Sequence, residues 1–165
     1  MDAQTAYLYM LEEIHRSFRA ETRDLTPDQL YYQPDPKANT IIFLPWHWVR
    51  TEDGVIHRSL GGTPIWEAGG WQHKFNFPPQ GSSGIQPEDV TAFRPELSLV
   101  MDYFAAVWQV SVEKIKNATN EDLERQAGRN MNVARNIESV VIGHGFWHLG
   151  EVRFIKGLLG MPFVR

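Results

Sequence analysis

Apolar positions recur at helical spacing in four stretches of the chain. In residues 2–24, Tyr7, Leu8, Leu11, Ile14 and Phe18 fall three and four apart, interleaved with Glu12, Glu13, Arg16 and Arg19. That pattern predicts an amphipathic helix ending before Thr26-Pro27. The two prolines of YYQPDPKANT (31–40) predict a loop, and Asn39-Thr40 a cap for the next helix. A second helix is expected to run to about Leu60, with Pro45 kinking it or delaying its start and Gly61-Gly62 stopping it. Thr91 is expected to open a third, with Phe93, Leu97, Val100, Phe104, Val107 and Trp108 on one side, ending near Asn117. The polar stretch NATNEDLERQAGRNM has room for one short helical turn. A fourth helix covers roughly Val133 to Leu159, closed by Gly160-Met161-Pro162. With no internal repeat and no β-alternation, four long helices predict an all-α four-helix bundle.

Residues 61–89 break the pattern. GGTPIWEAGGWQHKFNFPPQGSSGIQPED is dense in Gly and Pro yet carries Trp66, Trp71, Phe75 and Phe77. Disordered linkers lack large apolar groups. The stretch therefore reads as an ordered excursion between the second and third helices whose aromatics pack back on the bundle, and ordered loops of this length are usually functional.

Size changes this picture little: 165 residues suit one domain, 1–165, with a full core. A net charge of −4 leaves no basic footprint, so nucleic acid is not an expected partner. Nor is a membrane, since no apolar run approaches the ~20 residues of a spanning helix and no polybasic run suggests a surface. The opening MDAQTAYLYMLEEIHRSF has early acids and no basic cap, which does not read as a signal peptide, so a cytoplasmic location is the default expectation. The absence of Cys removes disulfides, thiolate metal sites and a cysteine nucleophile together.

The fourth helix carries the candidate chemistry. Its apolar stripe reads Ile137, Val141, His144, His148, Val152, Ile155, Leu159, in steps of three and four. Both histidines lie on the buried line, stacked one turn apart, so two imidazoles can face one ion. A lone core histidine needs only a carbonyl partner, and a His-x-x-x-His pair by itself is a weak signal. Gly143, Gly145 and Gly150 strengthen it: each costs up to about 1 kcal/mol relative to Ala in a helix, which suggests that something approaches closely. A third ligand is wanted from a facing helix. His15, flanked by Glu12, Arg16 and Arg19, suggests an edge; His57, beside Arg58, a solvated face; His73 lies in the excursion, where with Trp66 and Trp71 it could belong to a lid. His47 sits in FLPWHWV, which is apolar all round, so periodicity does not choose among the four.

HGFWHLGEVRFIKGLLGMP resembles the last-helix signature of the DinB-like superfamily: His, three residues, His-x-Gly-Gln/Glu-hydrophobic-Arg and a closing Leu-Leu-Gly. ANTIIFLPWHWVRTEDGVIHRSLGG is similar to the family's second helix, where a His precedes an acidic pair, and GTPIWEAGGW with SGIQPEDVTAFR resembles the connection of an actinobacterial-type branch. The likeness covers roughly residues 40–160. It implies up-down-down-up connectivity, a homodimer, and a divalent ion, zinc or nickel, held by His47, His144 and His148. It also implies the activity of characterised relatives: low-molecular-weight-thiol S-transferases and a mycothiol-dependent maleylpyruvate isomerase. Many members have no known activity. Glu151 stands where the family usually has Gln, a change that touches a hydrogen bond behind a ligand and no ligand itself.

Three neutral imidazoles leave a coordination position open, as catalytic zinc sites do. With no Cys in the chain, a thiolate nucleophile must arrive as a small cosubstrate. Glu52 and Asp53, about a turn and a half beyond His47, are candidates to orient a ligand's second nitrogen or accept a proton, although at least one is expected to be a surface acid. Trp46, Trp48 and Trp147 border the presumed ligands and would dry the site's walls, although ordinary core packing is the expected role for each of them taken singly. The resulting reading is a metal-dependent transferase adding a small thiol to an electrophile. Against it stand a non-catalytic, stress-related metal-binding bundle and, more weakly, a metal-dependent hydrolase that lacks a clear general base.

Overall fold

The computed structural model describes residues 1–75, 84–128 and 130–162. Among these residues all regular structure is helical, apart from one isolated bridge between Gln126 and Asn132. In chain order the helices are α1 (Ala3–Thr22), α2 (Pro27–Leu30), α3 (Phe43–Leu60), α4 (Ile65–Ala68), α5 (Trp71–Phe75), α6 (Pro87–Ala92), α7 (Leu97–Asn117), α8 (Asn120–Glu124), α9 (Val133–Asn136) and α10 (His144–Leu158); a π-helical segment, Ile137–Gly143, joins the last two.

Helix boundaries follow local chemistry. Asp2 caps α1 by accepting the Thr5 N–H. The Thr40 hydroxyl accepts the N–H of Phe43, and Pro45 falls in the first turn of α3, where its missing N–H leaves no bond unmade. Gly61, at φ 88°, ends that helix in a conformation other residues avoid. The third long helix starts at Leu97, not at Thr91. Pro95 disfavours helical backbone at the residue before it, Phe93 turns extended at ψ 99°, and Pro87–Ala92 forms a short helix of its own.

Four long helices enclose one core, in which α1 and α3 each pack on both α7 and α10. Leu11, Ile14 and Phe18 of α1 share this core with Trp46, Trp48 and Val49 of α3, Val100, Phe104 and Val107 of α7, and Val152 of α10. Polar contacts tie the ends. Gln4 donates to the Ala118 carbonyl, Tyr7 to that of Ala134, and the buried Lys156 ammonium to Glu21 at 2.6 Å.

Several polar residues lie deeper than their neighbours in sequence suggest. His15 and His57, expected at an edge and on a solvated face, are each only 4% exposed, and Glu52 and Asp53 are fully buried. Adjacent charges mislead because successive helical residues point about 100° apart. His15 Nε2 lies 2.7 Å from Glu52 Oε2. Asp53 anchors the excursion: its carboxylate accepts the N–H groups of Ile65 and Trp66 at 2.8 Å each and the Tyr103 hydroxyl at 2.6 Å, with His57 Nδ1 at 2.9 Å. Trp66 and Phe75 in turn pack on Trp46, and Trp71 on Tyr103. Phe77 lies outside the described residues. No helix among them is long and apolar enough to cross a membrane.

Candidate metal centre

The π-helical segment ends immediately before His144. Its i→i+5 bonding widens the helix, and the adjacent Val141 and Ile142 are both buried there. Trp48 of α3 donates its indole N–H to the Val141 carbonyl at 2.9 Å, binding α3 to this segment. A Cβ on Gly145 would sit 2.5 Å from that indole nitrogen, so glycine is what lets α3 come so close to α10 beside the histidines. Only this one of the three glycines makes such room: a Cβ on Gly143 would meet its nearest atom at an ordinary 3.5 Å, and one on Gly150 would meet nothing within 4 Å.

The approach brings His47 of α3 against His144 and His148 of α10. Each offers one ring nitrogen, and the three lie within 4.8 Å of one another. Ring centroids are 5.2 Å apart for His47–His144, 5.1 Å for His47–His148 and 4.3 Å for His144–His148. Phe43, one turn before His47, stacks on its ring at 5.5 Å. Glu151 Oε2 accepts a hydrogen bond from His148 Nδ1 at 2.8 Å, and Asn39 donates to the same oxygen at 3.4 Å. That bond also holds the Glu151 carboxyl below its usual pKa.

The electrostatics favour neutral rings. Burial, then the neighbouring His148 and His144, lowers the His47 pKa to about 4, and burial with His148 lowers that of His144 to about 4. At pH 7 both rings keep their lone pairs.

The donors suit a nitrogen-seeking divalent ion. His148 presents Nδ1 to Glu151 and Nε2 to His144 Nε2, the latter at 2.7 Å. His47 Nδ1 and His144 Nδ1 are buried without a hydrogen-bond partner among the described residues, so no such bond fixes the tautomer of either ring. Three imidazoles, one beside a carboxylate, suit a nitrogen-binding divalent transition metal better than the oxygen-loving magnesium or calcium.

Of the residues expected at the site, Trp46 and Trp48 are buried, but Trp147 is 73% exposed and forms no buried wall, being turned about 100° from His148. Glu52 and Asp53 are committed to His15 and to the excursion, and Glu151 occupies the place behind a ligand for which they were candidates. Trp66 and Trp71 contact Trp46 and Tyr103, and His73 is exposed beside Gln72. Asn39 and Phe43 are additions. Phe43 lies at i−4 from His47, a spacing visible in sequence; nothing in the sequence signals Asn39.

A family model described as the DinB superfamily matches residues 10–152, and the chain belongs to that superfamily. No curated protein matches. Among solved structures, the chain is similar to a crystal structure described as a conserved protein of locus from Enterococcus faecalis. The two share 20% identity with a TM-score of 0.87, over 97% of this chain and 99% of that one. At that identity the likeness establishes the fold.

Proposed function

We propose that this chain is a divalent-metal protein in which His47, His144 and His148 hold zinc or nickel, and that it works as a transferase joining a small thiol to an electrophile. One observation carries the reading: three imidazoles, drawn from α3 and α10, converge, with His47 and His144 held neutral and Glu151 against His148. A bound ion would supply Lewis acidity, lowering the pKa of a thiol brought to it. The chain's own residues do the rest. Glu151 fixes the His148 tautomer, Phe43 steadies the His47 ring, and Trp48 with Gly145 sets the distance between the helices that carry the ligands. With no Cys in the chain, the sulfur nucleophile is a cosubstrate.

The same reading takes 1–165 as one domain with up-down-down-up connectivity. Supporting it, the start of α1 meets the end of α7 through Gln4 and Ala118, while the ends of α1 and α10 meet through Glu21 and Lys156. The end of α3 meets α9 through Ser59 and Asn136, while Asn39, just before α3, meets Glu151 of α10, and the ends of α3 and α7 meet through Gly61 and Lys114.

Elemental analysis tests the site: zinc or nickel is expected at about one per chain in wild type and lost in His47→Ala. Turnover of thiol and electrophile by the loaded protein, abolished in His144→Ala, tests the activity. Stoichiometric metal with no turnover for any small thiol would leave a non-catalytic metal protein instead.

A further inference from the structure

Arg50 is a buried cation whose hydrogen-bonding fork is unfilled. It lies on α3 one turn beyond His47, and its side chain is only 10% exposed. The guanidinium stacks on Trp66, its carbon 4.1 Å from the ring centroid, which fixes the plane of the fork. Its donors do not match that confinement. Nη1 reaches the Tyr103 hydroxyl only at 3.5 Å and stands 3.8 Å from Asp53 Oδ2, beyond hydrogen-bond range, and Nε is buried without a partner. Asp53 offers charge and no bond, because its carboxylate already accepts from Ile65, Trp66 and Tyr103, with His57 Nδ1 beside it. By contrast, Arg135 and Arg153 meet carboxylates at 2.9 Å. The indole N–H of the same Trp66 is also buried and donates to nothing among the described residues. Buried donors left in this state cost free energy until an acceptor completes them.

We propose that Arg50 is the carboxylate-binding residue of the site, holding an acid group of the thiol or of the electrophile while the reacting atoms lie at the histidines. The inference rests on the reading of His47, His144 and His148 as the reaction centre. Side chains three apart start about 5–6 Å from each other on one side of a helix, so a carboxylate a few bonds from the reacting atom reaches Arg50. The guanidinium charge is felt at the cluster: after burial and the two neighbouring imidazoles, it adds to what lowers the His47 pKa.

Shape selects a carboxylate among anions. It is planar, matches the guanidinium fork with two parallel bonds, and can lie in the plane of the fork above the indole face. The second charge of a phosphate would find one cation only. The excursion thereby acquires a task. Asp53 holds the backbone of Ile65 and Trp66, and that anchor sets a flat ring against the guanidinium beside the metal ligands.

The test uses the full-length chain and needs no turnover. In chelator-treated protein, the Arg50 Nε–H proton resonance, assigned by its absence from Arg50→Gln, should shift with 3-mercaptopropionate or acrylate and stay put with the matching amides. In zinc-loaded protein, calorimetry should show 3-mercaptopropionate binding about 10-fold or more tighter than 3-mercaptopropionamide if the thiol carries the acid. If the electrophile carries it, the two thiols bind alike, and protein saturated with 3-mercaptopropionamide binds acrylate in preference to acrylamide. Either preference should fall to near one in Arg50→Gln and persist in part in Arg50→Lys, with zinc content unchanged in both. Carboxylate shifts at Arg50 in a protein that takes up no metal would keep the carboxylate site and sink the metal reading. Stoichiometric zinc with no preference in either pair, a preference retained in full by Arg50→Gln, or inorganic phosphate binding more tightly than the carboxylates would each overturn the inference.

Discussion

His47 is held neutral by the cost of charging it in a buried place beside two more imidazoles, which sets a pH dependence with a definite sign. In the unfolded chain its proton binds near the ordinary histidine value of 6.5; in the folded chain it binds at about 4. The unfolded state therefore takes up the proton first as pH falls. The stabilisation is complete above pH 6.5 and is lost between 6.5 and 4. Melting of chelator-treated protein should fall across that window, and the slope should be shallower in His47→Ala, whatever that variant's starting stability. Equal slopes would mean that the folded ring titrates normally. Glu151 acts differently. Its carboxyl sits below its usual pKa because it accepts the His148 bond, so its contribution disappears only at lower pH. In the proposed metal site its main effect would fall on the ion: Glu151→Gln keeps the shape but weakens the bond to His148 Nδ1. Zinc affinity should drop about 10- to 100-fold, as for other partners that orient metal-ligating histidines. Competition with a chromophoric chelator reads this directly, and unchanged affinity would reduce Glu151 to a surface acid.

On the scale of helices, the glycines of the last one separate packing from solvent. Gly145→Ala drives a methyl into the Trp48 indole and should cost about 1–3 kcal/mol, pushing α3 off α10 and loosening the metal site as well. Gly157→Ala meets open space and, within one chain, should gain up to about 1 kcal/mol from helix propensity. Denaturant melts of both variants at low protein concentration check the contrast; equal effects would show that the Trp48 contact is not what demands glycine. These positions also show what the sequence carries. Periodicity places α1, the end of α3 and the stripe holding His144 and His148, because a buried helix face repeats every three or four residues. It does not select His47, since FLPWHWV is apolar on every side. Nor does it reveal the π segment, because one extra residue per turn leaves Ile137, Val141 and His144 at the same steps of four and three. Trp147 looked buried for a related reason. An aromatic next to a core histidine shares its sequence neighbourhood but faces elsewhere.

For the molecule as a whole, the site lies where two chain segments about a hundred residues apart meet, and that couples ligand binding to folding. Unfolded, His47 has no fixed relation to the last helix; folded, its ligand nitrogen lies within 4.8 Å of those of His144 and His148. An ion that prefers the assembled set stabilises the fold by mass action, by about 2.7 kcal/mol when present at a hundred times its dissociation constant. Zinc or nickel added to chelator-treated protein should therefore raise Tm, with magnesium as the inactive comparison because the donors are all nitrogen. The rise should vanish in His47→Ala and shrink in Glu151→Gln. It should persist in Asp53→Asn, although that variant is expected to be less stable throughout, because Asp53 bonds the backbone of Ile65 and Trp66 and no ring of the metal cluster. A Tm rise retained in full by His47→Ala would mean that the last helix binds the ion with its own pair of histidines, and that the meeting of α3 and α10 at this point serves packing alone.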